Sequence, residues 1–154
     1  MELWTAMITI TKVLFATDFS NCAKTAQEYA AAFAEQFHAE LHLLHVATIT
    51  HDPGTALSLP QNYLIDIETE ARLSLDKLFP DAANEGRSIV RSVRTGNPSV
   101  EIVKYAEETG ADLIVVGTHG HGALLHMLIG SVAEKVVRKA ICPVLSVRPS
   151  RQPA

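Results

Sequence analysis

Apolar positions along the chain alternate between short continuous runs and longer stretches of helical period. Ile8 to Ala16 is a β-branched run whose second half reads as a central strand, ending at Thr17-Asp18. Ser20 then caps a helix in which Ala23, Ala26, Ala30, Phe33, Ala34 and Phe37 share one face, with alanines small enough to let it approach a sheet closely. Leu41 to Val46 reads as a second strand, and this strand–helix–strand unit requires a right-handed crossover into a parallel pair. From Ala47 to Pro60 the pattern breaks around Pro53, Gly54 and Pro60, which predicts a loop long enough for a lid or an insert. Tyr63, Leu64, Ile67, Ala71, Leu75 and Leu78 mark a second helix ending near Pro80. Ser88 to Arg94 alternates like a half-exposed edge strand. Asn97 caps a third helix with Pro98 at its first position, Ile102, Val103 and Ala106 inward, and Gly110 closing it.

The last third of the chain carries the chemistry. Leu113 to Gly117 is a mostly β-branched apolar run ending at a glycine, the pattern of a strand buried on both faces of a parallel sheet. A loop follows in which Gly117, Gly120 and Gly122 can adopt φ > 0 and let backbone N–H groups approach a ligand. Ser131 opens a fourth helix: Ser131-Val132-Ala133-Glu134 fits a capping box, with Val132, Val136, Val137 and Ala140 at helical spacing behind it. Val144 to Val147 supplies a fifth strand. Strand, glycine loop and helix N-terminus together make an anion site, because unpaired N–H groups and the positive end of the helix dipole converge there. The spacing is neither a P-loop, since Ile129-Gly130-Ser131 supplies no lysine, nor the dinucleotide fingerprint with three glycines in one turn.

Five strands alternating with four helices form a doubly wound α/β sandwich, in which ligands sit beyond the carboxyl ends of the strands where the winding reverses. Gly117, two residues, Gly120, nine residues, Gly130 and then Ser131 resembles the nucleotide-binding signature of the universal stress protein family. The flanking Ser131 to Val137 and Cys142 to Leu145 resemble that family's closing helix and last strand. The resemblance covers about Ile8 to Pro149. It implies one adenine nucleotide α-hydrolase-like domain over residues 8–149, a parallel sheet in order 3-2-1-4-5, and ATP, AMP or ADP as ligand. The other common order, 2-1-3-4-5, belongs to phosphoacceptor domains and calls for a carboxylate cluster, whereas the strand ends here offer Asp18 alone.

Carried onto this chain, the resemblance sets the phosphates against Gly117, Thr118, Gly120, His121, Gly122, Gly130, Ser131, Val132 and Ala133. Adenosine then lies against Ala16, Thr17, Asp18 and the backbone of Val46, with Mg²⁺ carried by the triphosphate. His121 stands where the family's usual residue is arginine. An apolar Val144–Arg148 strand at a sheet edge calls for cover, which a twin strand in a homodimer provides.

Length and composition narrow this picture. The chain has 154 residues, a net charge of −4 and a pI near 5.9, which give no general attraction to nucleic acid or anionic membranes. Cys22 and Cys142 are too few for a disulfide scaffold. No apolar run approaches the roughly 20 residues of a membrane span, and Met1 to Met7 reads as a short extension without the features of a signal peptide, so a cytoplasmic location is expected. His119, His121 and His126 lack the cysteines or further converging groups of a zinc site. No nucleophile has an adjacent general base, which favours binding over catalysis; the resemblance implies a module that senses stress or energy state. A slow ATP or nucleotidyl hydrolase and a nucleotide-free interaction dimer are the alternatives. Residues 150–154 form a tail.

Overall fold

Alternation along the central strands builds two cores, one on each face of a single parallel sheet. The computed structural model describes residues 6–49, 60–120 and 128–150. Within them the strands are β1 (Lys12–Ala16), β2 (Glu40–Ala47), β3 (Ile89–Thr95), β4 (Leu113–Gly117) and β5 (Val144–Val147), in the order β3-β2-β1-β4-β5. Every pairing is parallel, and the central β1 sets Val13 beside both Leu41 and Leu113.

On one face, Val13, Phe15, Leu41, Leu43, Leu113 and Val115 pack with the alanines of α1 (Asn21–Phe37) and with Leu75 of α2 (Gln61–Asp76). On the other, Leu14, Leu44, Val46, Ile114 and Val116 meet α3 (Pro98–Thr109) and α4 (Ser131–Lys139) through Ile102, Ala106, Ala133 and Val136. Phe15, Leu14, Leu43, Leu44 and Ile114 are fully buried, each contributing about 1.5–3 kcal/mol of transfer free energy as an upper estimate.

Local signals account for most element boundaries. The Ser20 hydroxyl accepts the Ala23 N–H at the start of α1, Asn97 accepts from Val100 at the start of α3, and Gly110 closes α3 at φ 68°. Two expectations are corrected. Helix α2 stops at Asp76, short of Pro80, because Leu78 reaches the core from the turn beyond the helix rather than from another helical turn. In α3 Tyr105, 4% exposed, and Ser99 face inward with Ile102 and Ala106, while Val103 is half-buried.

The sheet's edges are β3 and β5. Along β5 the carbonyls of Pro143 and Val147 accept from Ile114 and Thr118, so alternation turns the backbone of Val144 and Ser146 outward. No helix among the described residues is long and apolar enough to cross a membrane. The extension before Ala6 and the stretch 50–59 of the expected loop lie outside the described residues.

Candidate functional site

After β3 the chain passes to the far side of β1, so the loops leaving β1 and β4 diverge toward opposite faces and leave a crevice between them. A cavity of about 560 Å³ opens there. Its lining includes Ala16, Thr17, Asp18, Val46, Gly117, Thr118, Gly120, Gly130, Ser131, Val132 and Ala133, which brings together every residue singled out from the sequence except two. His121 and Gly122 lie outside the described residues, as does His126.

The wall from β1 is a turn over Thr17–Ser20 held by its own side chains. Phe19 N–H donates to Thr17 Oγ1 at 3.0 Å and Ser20 N–H to Asp18 Oδ1 at 3.0 Å. Thr17 is 7% exposed, and its N–H extends the sheet by donating to Leu44 O at 2.9 Å.

The opposite wall runs from β4 to the start of α4. The expected capping box is absent. Gly130 is the N-cap, Ser131 the first helical residue, and Glu134 reaches forward to Arg138 at 2.6 Å. The shift by one residue follows from the Gly130 N–H, which donates to Thr118 O at 2.5 Å and so fixes Gly130 outside the helix. The first N–H groups of α4, on Ser131, Val132 and Ala133, have no acceptor within the helix and no side-chain cap. Val132 and Val137, expected on the apolar face, are 37% and 49% exposed.

The glycines also differ from expectation. Neither Gly117 nor Gly120 has a positive φ, and Gly130 sits at φ −73°. Close approach is what requires them. A Cβ on Gly120 would collide with Asp18 Oδ2, one on Gly130 would lie 2.8 Å from Thr118 O, and one on Gly117 would lie 3.2 Å from the Cys22 sulfur. The two loops therefore touch across the mouth at Asp18 and Gly120.

The family model for universal stress proteins matches residues 9–148. The chain belongs to the universal stress protein family. It is 34% identical over 145 residues to the universal stress protein YxiE of Bacillus subtilis, covering 89% of this chain and 98% of that one. The structure of universal stress protein UspA from Lactobacillus plantarum superposes with a TM-score of 0.77 at 25% identity, covering 92% of this chain and all of that one. A universal stress protein in complex with cAMP gives a TM-score of 0.64 at 25% identity, covering 93% of this chain and all of that one.

In this universal stress protein the lining holds one carboxylate, Asp18, and no lysine or arginine among the described residues. Anion affinity at such a site rests on backbone N–H groups and the α4 dipole. Thr118 is less available than expected: its N–H donates to Val147 O at 2.9 Å, its carbonyl accepts from Gly130, and its hydroxyl lies 2.9 Å from His119 Nδ1.

Sequence reasoning missed His45, Thr48, Pro98 and Ile102 among the lining residues, whereas His119, weighed there as a metal ligand, lines the cavity. Pro98 and Ile102 are legible as the first turns of α3, but nothing local in the sequence shows that this helix starts beside the crevice. His45 carried no pattern, because its partner Thr17 lies 28 positions away on the neighbouring strand.

Proposed function

We propose that this chain binds an adenine nucleotide, ATP or its mono- or diphosphate, in the crevice between β1 and β4, as a homodimeric module that senses stress or energy state. The supporting observation is the start of α4, where the N–H groups of Ser131 to Ala133 open into a cavity of about 560 Å³ with a carboxylate on its opposite wall. Phosphate suits those donors, and the Asp18 carboxylate suits a ribose hydroxyl. The cAMP complex of a relative is in keeping with this choice of ligand. Any Mg²⁺ would enter with the triphosphate and be held mainly by its oxygens.

The test is direct. The purified protein is denatured, released nucleotide is identified by mass and absorbance, and the stripped protein is titrated with ATP, ADP and AMP. Absence of released nucleotide together with no measurable affinity for any of the three rejects the reading.

The homodimer is proposed through the outer edge of β5. Because Val144 and Ser146 turn their backbone outward, Ser146→Pro removes a donor from that edge while sparing the ladder to β4. Sedimentation should show monomers for Ser146→Pro, and an unchanged dimer would reject this interface.

A further inference from the structure

Phe19 has φ 62°, a left-handed conformation that bulky side chains rarely adopt, and it directly follows Asp18 in the turn at the cavity wall. Such strain persists only where the surroundings over-determine it. The bonds from Phe19 N–H to Thr17 Oγ1 and from Ser20 N–H to Asp18 Oδ1 are internal to the turn and move with it. Two ties from the turn to the sheet come from β2. Thr17 N–H donates to Leu44 O, and the next residue along, His45, places Nδ1 2.8 Å from Thr17 O. A carbonyl oxygen only accepts, so Nδ1 carries a proton in the neutral and the charged imidazole alike. The same ring lies 4.7 Å from the Phe19 ring, tilted by 32°. One side chain thus grips the carbonyl before Asp18 and the ring after it.

We propose that His45 is a positioning residue for Asp18: its Nδ1–H and ring face hold the strained turn so that the carboxylate stands opposite Gly120 at the mouth of the cavity. The consequence for ligand affinity rests on the nucleotide reading above; the consequence for the turn does not. The phenyl ring of Phe19 packs against the α1–α2 core, so the turn is anchored in the fold on one side and by His45 on the other.

His45→Leu and His45→Asn separate the roles. The two side chains are nearly isosteric and both remove the ring, but the asparagine amide places a donor close to where Nδ1 was. The full chain and both variants are titrated with Mg·ATP, and amide hydrogen exchange is followed at Phe19, at Ser20 and in β4. For His45→Leu we expect about five- to ten-fold weaker ATP binding, in line with loss of one hydrogen bond, and faster exchange at Phe19 and Ser20 with β4 unchanged. His45→Asn should recover at least half of the logarithmic loss, a rescue that a packing role alone would not give. Equal behaviour of the leucine and asparagine variants overturns the proposal, as does unchanged exchange in His45→Leu. If the unsubstituted protein binds no nucleotide while exchange responds to leucine and recovers with asparagine, the positioning role stands and the nucleotide reading falls. If His45→Leu fails to fold, His45→Asn decides: affinity within about three-fold of the unsubstituted protein supports the proposal, and a ten-fold loss rejects it.

Discussion

The two ends of the sheet carry cavities of nearly the same volume and opposite chemistry. The carboxyl-end cavity, about 560 Å³, is walled by two turns and the start of α4. The amino-end cavity, about 540 Å³, lies among the last turn of α1, the first residues of β2 and β3, and the turns at Phe79 and Gly86. At the amino end the charges answer one another: Arg87 Nε lies 2.9 Å from Glu85 and its NH2 group 3.7 Å from Glu35, while Glu40 joins His42 at 2.7 Å and Ser88 at 2.9 Å. The helix C-terminus there is closed as well, since the His38 N–H caps the carbonyls of Ala34 and Glu35. At the carboxyl end the first N–H groups of α4 have no acceptor among the described residues. Parallel winding produces this asymmetry, because strands lead into helix N-termini at one end and receive helix C-termini at the other. Cavity size does not distinguish the two ends; backbone donors without an acceptor among the described residues do, and the proposed nucleotide site rests on them.

Glycine substitutions should give the largest contrast between the ends. At Gly130 the backbone conformation is ordinary and the space is missing, so Gly130→Ala pushes a methyl group against Thr118 O beneath the proposed phosphate site. We expect ATP binding to weaken by at least about ten-fold and stability to fall by about 1–3 kcal/mol, as for an overpacked core. At Gly86 the space is open and the conformation is unusual, φ 70° with nothing within 4 Å of an added Cβ. Gly86→Ala should cost about 1 kcal/mol of stability and leave ATP binding unchanged. Thermal melts followed by circular dichroism and titration calorimetry measure both effects. Equal losses of ATP affinity in the two variants would break the distinction between the ends.

The sequence made one of these glycines legible and concealed its reason. Gly117, Gly120 and Gly130 stand out by spacing, yet what excludes a side chain at each is Cys22, Asp18 or Thr118, neighbours known only once β1 and β4 are paired. The strands were readable because a parallel strand covered on both faces is a continuous apolar run, as in Leu113–Gly117. The strand order came from the resemblance, since periodicity carries no information about which strands are neighbours. Helix α4 opens at Ser131 as read, but its N-cap was placed one residue late because glycine and serine are both good N-caps, and the choice fell to a bond from Gly130 to Thr118. His45 and Tyr105 were missed for a common reason: each is a polar side chain on a buried face whose partner, Thr17 for one and His42 for the other, is distant in sequence.

Charge removal at the amino end should be mild. Arg87 is 41% exposed along its side chain, and exposed pairs contribute at most about 1 kcal/mol. Arg87→Gln should therefore lower stability by about 0.2–1 kcal/mol and leave ATP affinity at its original value, with urea unfolding and calorimetry as the measurements. A several-fold loss of ATP affinity would show that the two ends communicate.

The smallest expected effect is one of pH at Glu40. Its Oε1 lies 2.7 Å from His42 Nε2, and its Oε2 accepts from Ser88 Oγ at 2.9 Å. The bond to His42, then the one to Ser88, hold the carboxyl below its usual range. His42, 5% exposed, continues the chain to Tyr105 Oη at 2.7 Å, so the carboxylate anchors a buried network beneath α3. A carboxyl whose native pKa is lowered stabilises the fold in full at pH above its unfolded value, roughly 4.3, and loses that contribution as pH falls through the native value. Glu40 is 36% exposed along its side chain, which screens the effect. Glu40→Gln keeps an accepting oxygen and removes the titration. The stability difference between the unsubstituted protein and Glu40→Gln should shrink as pH falls from about 5 toward 3, as read from urea unfolding at each pH. A difference that stays constant to pH 3 would mean that the carboxylate's charge contributes nothing and that the oxygen atoms alone hold the network. ATP affinity at pH 7 should be the same in both proteins, because the groups that answer Glu40 all lie at the amino end, away from the start of α4.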